Sequence, residues 1–235
     1  MELNDIEILE LADSLPAGLW DGKAGLCLYL AENNSETVWQ LWKKVMQDLL
    51  QLNGNIDFCH GLTGIVFAAY KLEEKGLELA DLANLTAEVD SLVFREVGYD
   101  HCNDNISLLT LTHLVCFEAW LISEGKDNCG EERDIRTALL KNAVNLMLEK
   151  VAVSELYEPP TFSLEYALPN VILALAFAYK CGVYKKRIER TMAEMSRLII
   201  GRYPLLHANR LFMLFAVEAI IRASSTTRAR AIASA

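Results

Sequence analysis

The chain has 235 residues, 52% of them hydrophobic, and a formal net charge of −10. This length and apolar content suffice for one sizeable core. The acidic balance disfavours nucleic acid as a general partner, because an acidic surface repels phosphate backbones. No apolar stretch reaches the roughly 20 residues that a membrane-spanning helix needs, and the first residues do not resemble a secretory leader. With six cysteines, these features predict a cytoplasmic protein whose thiols are mostly free.

Apolar residues recur with helical spacing along almost the whole chain, and no segment favours a strand. In chain order, strongly apolar helices are predicted over residues 25–30, 64–72, 106–121, 171–179 and 205–221. Amphipathic helices alternate with them, and Ser35 and Thr86 are predicted N-caps of two of these. Such alternation is typical of stacked helical hairpins, so the predicted fold class is all-α. One domain is expected over residues 1–223, followed by a disordered tail over 224–235 that is small and polar.

Two short stretches repeat one pattern. Residues 19–26 read LWDGKAGL and residues 59–66 read CHGLTGIV, so each holds two glycines three positions apart before an apolar run. Gly22 and Gly61 are 39 residues apart, and weaker copies begin near Asn103, Ala167 and Ala208. About five units therefore repeat with the period of helical hairpins. Glycines at a helix start serve either tight packing or a ligand site, because no Cβ blocks the approach of a neighbour.

Cys59 and His60 stand directly before the first glycine of the second stretch. A thiolate and an imidazole are ligands that zinc prefers, and a catalytic zinc site has three protein ligands and one open position. From the residues alone, two interpretations stay open for this pair. It is either part of a metal site or a packed cysteine beside a hydrogen-bonded histidine.

The paired glycines and the Cys-His-Gly-x-x-Gly motif at residues 59–64 resemble the lanthionine synthetase C-like family. The resemblance extends in form over much of the chain, and its specific motifs lie between residues 15 and 76. It implies an α/α toroid of helical hairpins, complete or incomplete. It also implies zinc-assisted thioether cyclisation, in which a peptide cysteine thiol adds to a dehydrated serine or threonine of a modified peptide. Cys59 and His60 match two of the zinc ligands in that family's motif.

The chain departs from the family pattern at the position of the third zinc ligand. Trp20 stands where the family has a further cysteine, and Cys102, at the start of the next unit, is the substitute candidate. The resemblance implies a residue that handles the enolate proton. Asp21, His101 and His207 are candidates because they fall at the same end of predicted inner helices, and a buried or capping role is the alternative for each.

Two further classes of protein are compatible with the same fold. A non-catalytic member that has lost the metal would bind a peptide or a partner protein. A toroid hydrolase or lyase acting on sugars would need paired carboxylates, for which Asp21 and Asp104 are the obvious pair in register. An incomplete repeat array exposes apolar surface at its open end, which favours a homodimer.

Overall fold

A computed structural model describes residues 5–32, 35–79, 82–98, 106–125, 130–153, 167–201 and 204–233. These residues form ten α-helices and no strand, which confirms the predicted all-α class. The helices are α1 (Asp5–Ala12), α2 (Lys23–Leu30), α3 (Ser35–Asp48), α4 (Leu62–Glu74), α5 (Leu82–Val97), α6 (Leu108–Glu124), α7 (Gly130–Val153), α8 (Ala167–Lys180), α9 (Lys185–Gly201) and α10 (His207–Ala233). Of the described helices, none combines the length and the apolar character that a membrane span requires.

The chain divides into two compact units, Met1–Glu96 and Val97–Ala235. Consecutive helices pack as pairs in both, with α2 against α3 in the first unit and α6 against α7 in the second. This pairing is what a helical-hairpin repeat requires. The single domain over residues 1–223 and the closure of the helices into a toroid stay predictions.

In the first unit, the core is built on the apolar faces that the sequence predicts. Val38, Leu41 and Val45 of α3 are fully buried and follow the helical spacing of that pattern. The helix continues into a short 3-10 turn, Leu49–Leu52, and stops at Asn53, which has a left-handed backbone with φ 47°. The inner helix α4 is buried along most of its length and packs against α2.

The start of α5 differs from the prediction. Thr86 does not cap this helix, because α5 begins at Leu82 and Thr86 lies inside it. The Thr86 hydroxyl donates a hydrogen bond of 2.8 Å to the carbonyl oxygen of Leu82, one turn earlier. A threonine can satisfy its hydroxyl in this way within a helix, so a threonine before an apolar run does not define a helix start.

In the second unit, α8 packs against both α6 and α10. A buried ion pair also joins α6 to α7. Arg136 Nη1 of α7 lies 3.6 Å from Glu118 Oε2 of α6, and both side chains are almost completely buried. Arg136 Nη2 also lies 3.3 Å from Glu132 Oε1, one turn earlier on α7. Losing either partner of a buried pair would leave an uncompensated buried charge, so α6 and α7 each depend on the other at this contact.

The last helix extends further than the sequence suggests. α10 is continuous from His207 to Ala233, and it covers most of the segment for which disorder is predicted. Alanine and arginine, which are frequent at the end of this segment, have high intrinsic helix propensity. This propensity accounts for the helix where polarity alone predicts none.

Candidate functional site

The candidate site is built on two loops that each lead into a helix of the first unit. The first loop comprises residues 16–25 and runs into α2, and the second loop comprises residues 55–64 and runs into α4. Gly22 and Gly61 precede the two helices with nearly the same extended backbone, with φ of −125° and −121°. The repeat seen in the sequence is therefore also a repeat of backbone conformation.

Each loop is closed by an equivalent hydrogen bond. The Lys23 amide donates to the Pro16 carbonyl oxygen at 2.8 Å, and the Leu62 amide donates to the Asn55 carbonyl oxygen at 2.8 Å. Donors and acceptors are both offset by the 39 residues that separate Gly22 from Gly61. The two loops therefore satisfy their backbone groups in the same way.

The second glycine of each loop allows the helix to lie against its own loop. A Cβ at Gly25 would collide with the carbonyl oxygen of Leu19, and a Cβ at Gly64 would collide with the carbonyl oxygen of Phe58. These acceptors are again equivalent positions in the two loops. Of the two roles open for the glycines, close packing is the one that this geometry demonstrates.

The two loops also bond directly to each other. The amides of Leu19 and Trp20 both donate to the carbonyl oxygen of Cys59, at 2.9 and 2.8 Å. A Cβ at Gly18 would lie 2.8 Å from Cα of His60. Sequence reasoning missed Gly18, and the available signal was a third glycine in the first loop, just before the repeated pattern. The loops thus form one continuous surface.

The side chains of this surface differ between the repeats. Trp20 occupies the position equivalent to Cys59, and Asp21 occupies the position equivalent to His60. Asp21 Oδ1 lies 3.1 Å from His60 Nδ1, and both side chains are more than half exposed. Asp57 Oδ1 accepts a hydrogen bond of 2.8 Å from the His60 amide. We call Trp20, Asp21, Cys59 and His60 the loop surface.

The buried side chain of Lys23 connects the first loop to the end of α3. Its side chain is only 6% exposed, and Nζ lies 2.6 Å from Asp48 Oδ2 at the end of α3. Nζ also donates to the carbonyl oxygen of Leu15 at 2.6 Å. The equivalent position in the second loop is the apolar Leu62. Sequence reasoning missed Lys23, although a lone lysine between two glycines of an otherwise apolar run was the signal.

The structure brings together only some of the predicted site residues. Asp21 and His60 meet, and Cys59 lies beside them in the chain. His101 and Cys102 lie outside the described residues, as does Asp104 of the carboxylate pair considered for a sugar-acting enzyme. His207 is exposed at the start of α10, in the second unit. Its predicted catalytic role stays a prediction.

The described residues do not complete a zinc site. Within the described ranges, no three His, Cys, Asp or Glu side chains are grouped so that they could hold a metal ion. Cys59 and His60 offer two donors of the kind that zinc prefers. Asp21 is bonded to the imidazole, which is the position of an orienting carboxylate and not of a ligand. A catalytic zinc ion needs a third protein ligand that these residues do not provide.

The cysteines that the structure describes, Cys27, Cys59, Cys116 and Cys181, are in the thiol form and not in disulfides. Burial raises the pKa of Cys27 and of Cys116 to about 12. Burial also raises the pKa of Cys181. Because the thiolate is the reactive form, these three thiols are poor nucleophiles near neutral pH.

The fold and the loops define an all-α protein of paired helices. It contains two copies of a loop followed by a helix, 39 residues apart. Comparison of the chain with family models, with curated proteins and with solved structures finds no match. The resemblance to the lanthionine synthetase C-like family stays a prediction from the motifs at residues 15–76.

Proposed function

We propose that this chain is a non-catalytic member of the lanthionine synthetase C-like type, and that its loop surface binds a peptide segment or a partner protein. The observation that carries this proposal is Trp20, which is 78% exposed on a loop tied to its neighbour by backbone hydrogen bonds. Tryptophan is among the residues that contribute most to binding energy at interfaces. A loop held rigid before binding loses little entropy when the partner arrives.

The polar neighbours of Trp20 suit peptide recognition. Asp21 and His60 are exposed beside it and offer a carboxylate and an imidazole to the backbone or side chains of a ligand. A central aromatic residue with polar groups around it is the usual composition of a binding site for protein segments. The net charge of −10 favours the approach of a cationic peptide.

The experiment is selection of random displayed peptides against the full chain, followed by affinity measurement of the selected peptides on variants. Trp20→Ala is expected to weaken binding by about thirtyfold, the effect of losing a central aromatic contact. Tyr29→Ala is the matched control, because Tyr29 is also 78% exposed and lies on α2, outside the loop surface. That variant should bind like the wild type.

Two results would overturn the proposal. One is that no peptide is enriched over a blank surface at any stage of selection. The other is that Trp20→Ala and Tyr29→Ala weaken the selected peptides equally, which would mean that a different surface binds them.

Zinc-assisted cyclisation of a modified peptide is the second candidate function. The observation that favours it is the carboxylate of Asp21 at Nδ1 of His60, because such a carboxylate commonly orients a metal-binding imidazole. Elemental analysis of untagged protein tests it, with Cys59→Ala as the comparison. About one zinc per chain, lost in Cys59→Ala, would support the cyclase and contradict the non-catalytic proposal.

Trp20→Cys sharpens this zinc measurement. It places a thiol where the family pattern has its third ligand, next to the carbonyl of Cys59 to which residue 20 is bonded. Under the non-catalytic proposal, the wild type contains far less than one zinc per chain, and the Trp20→Cys variant binds about one zinc per chain. A wild type already saturated with zinc would show that the missing ligand comes from elsewhere in the chain.

A cytoplasmic location belongs to the same proposal. The four described cysteines form no disulfide, which suits a reducing compartment. Formation of a homodimer is a separate proposal that does not depend on the loop surface.

A further inference from the structure

Negative charge is concentrated in the unit that carries the loop surface. Residues 1–96 contain 17 Asp and Glu against 6 Lys and Arg, a formal net charge of −11 with histidine neutral. Residues 97–235 contain 15 Asp and Glu against 16 Lys and Arg, a net charge of +1. The acidic balance of the chain is therefore a property of its first unit. A ligand that approaches the loop surface meets a negative potential, which attracts cations.

The charges that a ligand can reach on the two loops are carboxylates. Among Asp, Glu, Lys and Arg, the loops contain only Asp21, Lys23 and Asp57. Lys23 is buried and its charge is matched by Asp48. Asp21 is 64% exposed, and Asp57 is half-buried. The local charge of the loops therefore has the same sign as that of the whole unit.

His60 brings the two carboxylates to one place. Asp21 Oδ1 lies 3.1 Å from Nδ1 of its imidazole, and Asp57 Oδ1 accepts a hydrogen bond of 2.8 Å from its amide. Each contact uses one oxygen of a carboxylate. Within the part of the chain that the structure describes, neither Oδ2 atom has a hydrogen-bond partner. Both carboxylates thus keep an oxygen that can accept from a ligand.

Trp20 adds an exposed aromatic ring beside these carboxylates. It directly precedes Asp21, and its amide is bonded to the carbonyl oxygen of Cys59, the residue before His60. Tryptophan is the aromatic side chain over which cations bind best. A guanidinium suits this combination better than an ammonium, because it is planar, stacks on a ring and presents a fork of N–H groups to carboxylates.

We propose that the loop surface, together with Asp57, binds an arginine side chain, with the guanidinium on the Trp20 ring and its N–H groups donating to Asp21 and Asp57. This inference rests on the peptide-binding function proposed above and names the side chain that the peptide carries. A guanidinium only donates hydrogen bonds and a carboxylate only accepts them, so the two match completely. An acidic side chain would be repelled at the same place.

Nuclear magnetic resonance of the full chain tests this proposal with a defined probe, the capped tripeptide acetyl-Gly-Arg-Gly-amide. The readout is the indole N–H signal of Trp20, which a Trp20→Phe variant identifies among the four tryptophans. The contacts are exposed and individually weak, so we expect a saturable shift with a Kd of about 1 to 10 mM. Added salt should weaken the binding.

Two altered tripeptides separate charge from shape. Citrulline in place of arginine keeps the planar group and removes its charge, and it should weaken binding at least about tenfold. Lysine keeps the charge and removes the planar fork, and it should weaken binding about threefold.

Asp21→Asn tests the direct contact on the protein side. It should weaken arginine binding about threefold, as expected for one exposed charged partner. Glu10→Gln is the matched control, because it removes one negative charge from the same unit at an exposed position on α1, outside both loops. It should weaken binding by less than about 1.5-fold, since distant exposed charges are screened.

Three outcomes would overturn the proposal. The Trp20 signal stays unchanged at about ten times the expected Kd, the citrulline and arginine tripeptides bind equally, or Asp21→Asn and Glu10→Gln have equal effects. The peptide-binding proposal fails separately. Selected peptides that depend on Trp20 but on no arginine would sustain that proposal and exclude the arginine site. An arginine tripeptide that shifts the Trp20 signal while no displayed peptide is enriched would do the reverse.

Discussion

The first and second loops have the same backbone and different side chains. Both close with a 2.8 Å hydrogen bond from the residue after the first glycine, and both need a second glycine three residues later. At the surface, however, the first loop carries Trp20 and Asp21, and the second carries Cys59 and His60. A few glycines and backbone hydrogen bonds thus maintain the loop conformation of both repeats. The chemical character of each loop surface depends on the side chains at the positions between them.

The buried positions of the two repeats differ as well. Lys23 with its partner Asp48 stands where the second repeat has Leu62, and Cys27 stands where it has Val66. The first repeat is therefore more polar than the second, with the same backbone conformation. Substitutions at equivalent positions can separate the residues that the shared backbone conformation requires from those that are particular to one repeat.

The largest effect is expected from alanine at the second glycine of either loop. In Gly25→Ala and in Gly64→Ala, the new Cβ would collide with a backbone carbonyl oxygen that cannot move without opening the loop. Each variant should lose about 3 kcal/mol or more of the free energy of unfolding, measured by urea denaturation. Similar losses in both would support the equivalence of the two loops.

Gly130→Ala is the control for these glycine variants. No atom lies within 4 Å of a Cβ built at Gly130, and the residue lies at the start of α7. Its stability should change by no more than about 1 kcal/mol, and upwards if at all. A loss at Gly130 as large as at Gly64 would contradict the collision argument.

The next effect concerns the buried lysine that only the first repeat has. Lys23→Ala leaves Asp48, itself 25% exposed, without its cation and leaves the Leu15 carbonyl oxygen without its donor. We expect a loss of about 2 kcal/mol, less than for a completely buried pair because Asp48 reaches water. A double-mutant cycle with Asp48→Ala isolates the coupling energy.

The exposed pair of Lys71 and Glu74 provides the comparison for Lys23. Their side chains are 32% and 37% exposed at a separation of 2.7 Å. Lys71→Ala should cost no more than about 0.5 kcal/mol. Equal costs for Lys23→Ala and Lys71→Ala would show that burial of Lys23 adds nothing.

A pH-dependent effect, small near neutral pH, is expected at Cys27. Burial raises the pKa of this thiol from its ordinary value of 9.0 to about 12. Between these pH values the unfolded chain releases a proton that the folded chain retains. The contribution of this thiol to the free energy of unfolding is therefore fully present below pH 9 and is lost as the pH rises towards 12. The slope is at most about 1.4 kcal/mol per pH unit for one thiol.

Cys27→Val introduces the residue that the second repeat has and removes this titration. Its alkaline loss of stability should be less steep than in the wild type, with a change at pH 7 of about 1 kcal/mol or less because the side chains are similar in size. Urea denaturation at several pH values measures both. Identical slopes for the two proteins would assign the alkaline loss to other groups.

The smallest effect is expected at the exposed pair that joins the two loops. Asp21→Asn removes the charge beside His60, but both side chains are more than half exposed and the loops stay bonded through the Cys59 carbonyl. The free energy of unfolding should fall by no more than about 0.5 kcal/mol, and less at high salt. A loss above about 1 kcal/mol would mean that the pair, and not the backbone, holds the loops together.

Much of the fold follows from local pattern. The spacing of Val38, Leu41 and Val45 predicts α3 and its buried face, and Asn53 with Gly54 marks where the segment ends. The failures have physical reasons. Thr86 satisfies its hydroxyl inside α5, and Lys23 is buried because Asp48, 25 residues away in the chain, meets it. A lysine in a one-dimensional pattern cannot show that a carboxylate will reach it.

The sequence by itself determined the all-α class and the 39-residue repeat, because neighbouring residues encode helical periodicity and glycine spacing. The folded backbone then showed that close packing requires glycine at Gly25 and Gly64. Only the tertiary structure decided that Asp21 meets His60 and that Trp20 is exposed. Such contacts join residues far apart in the chain, and their distances result from how helices and loops pack.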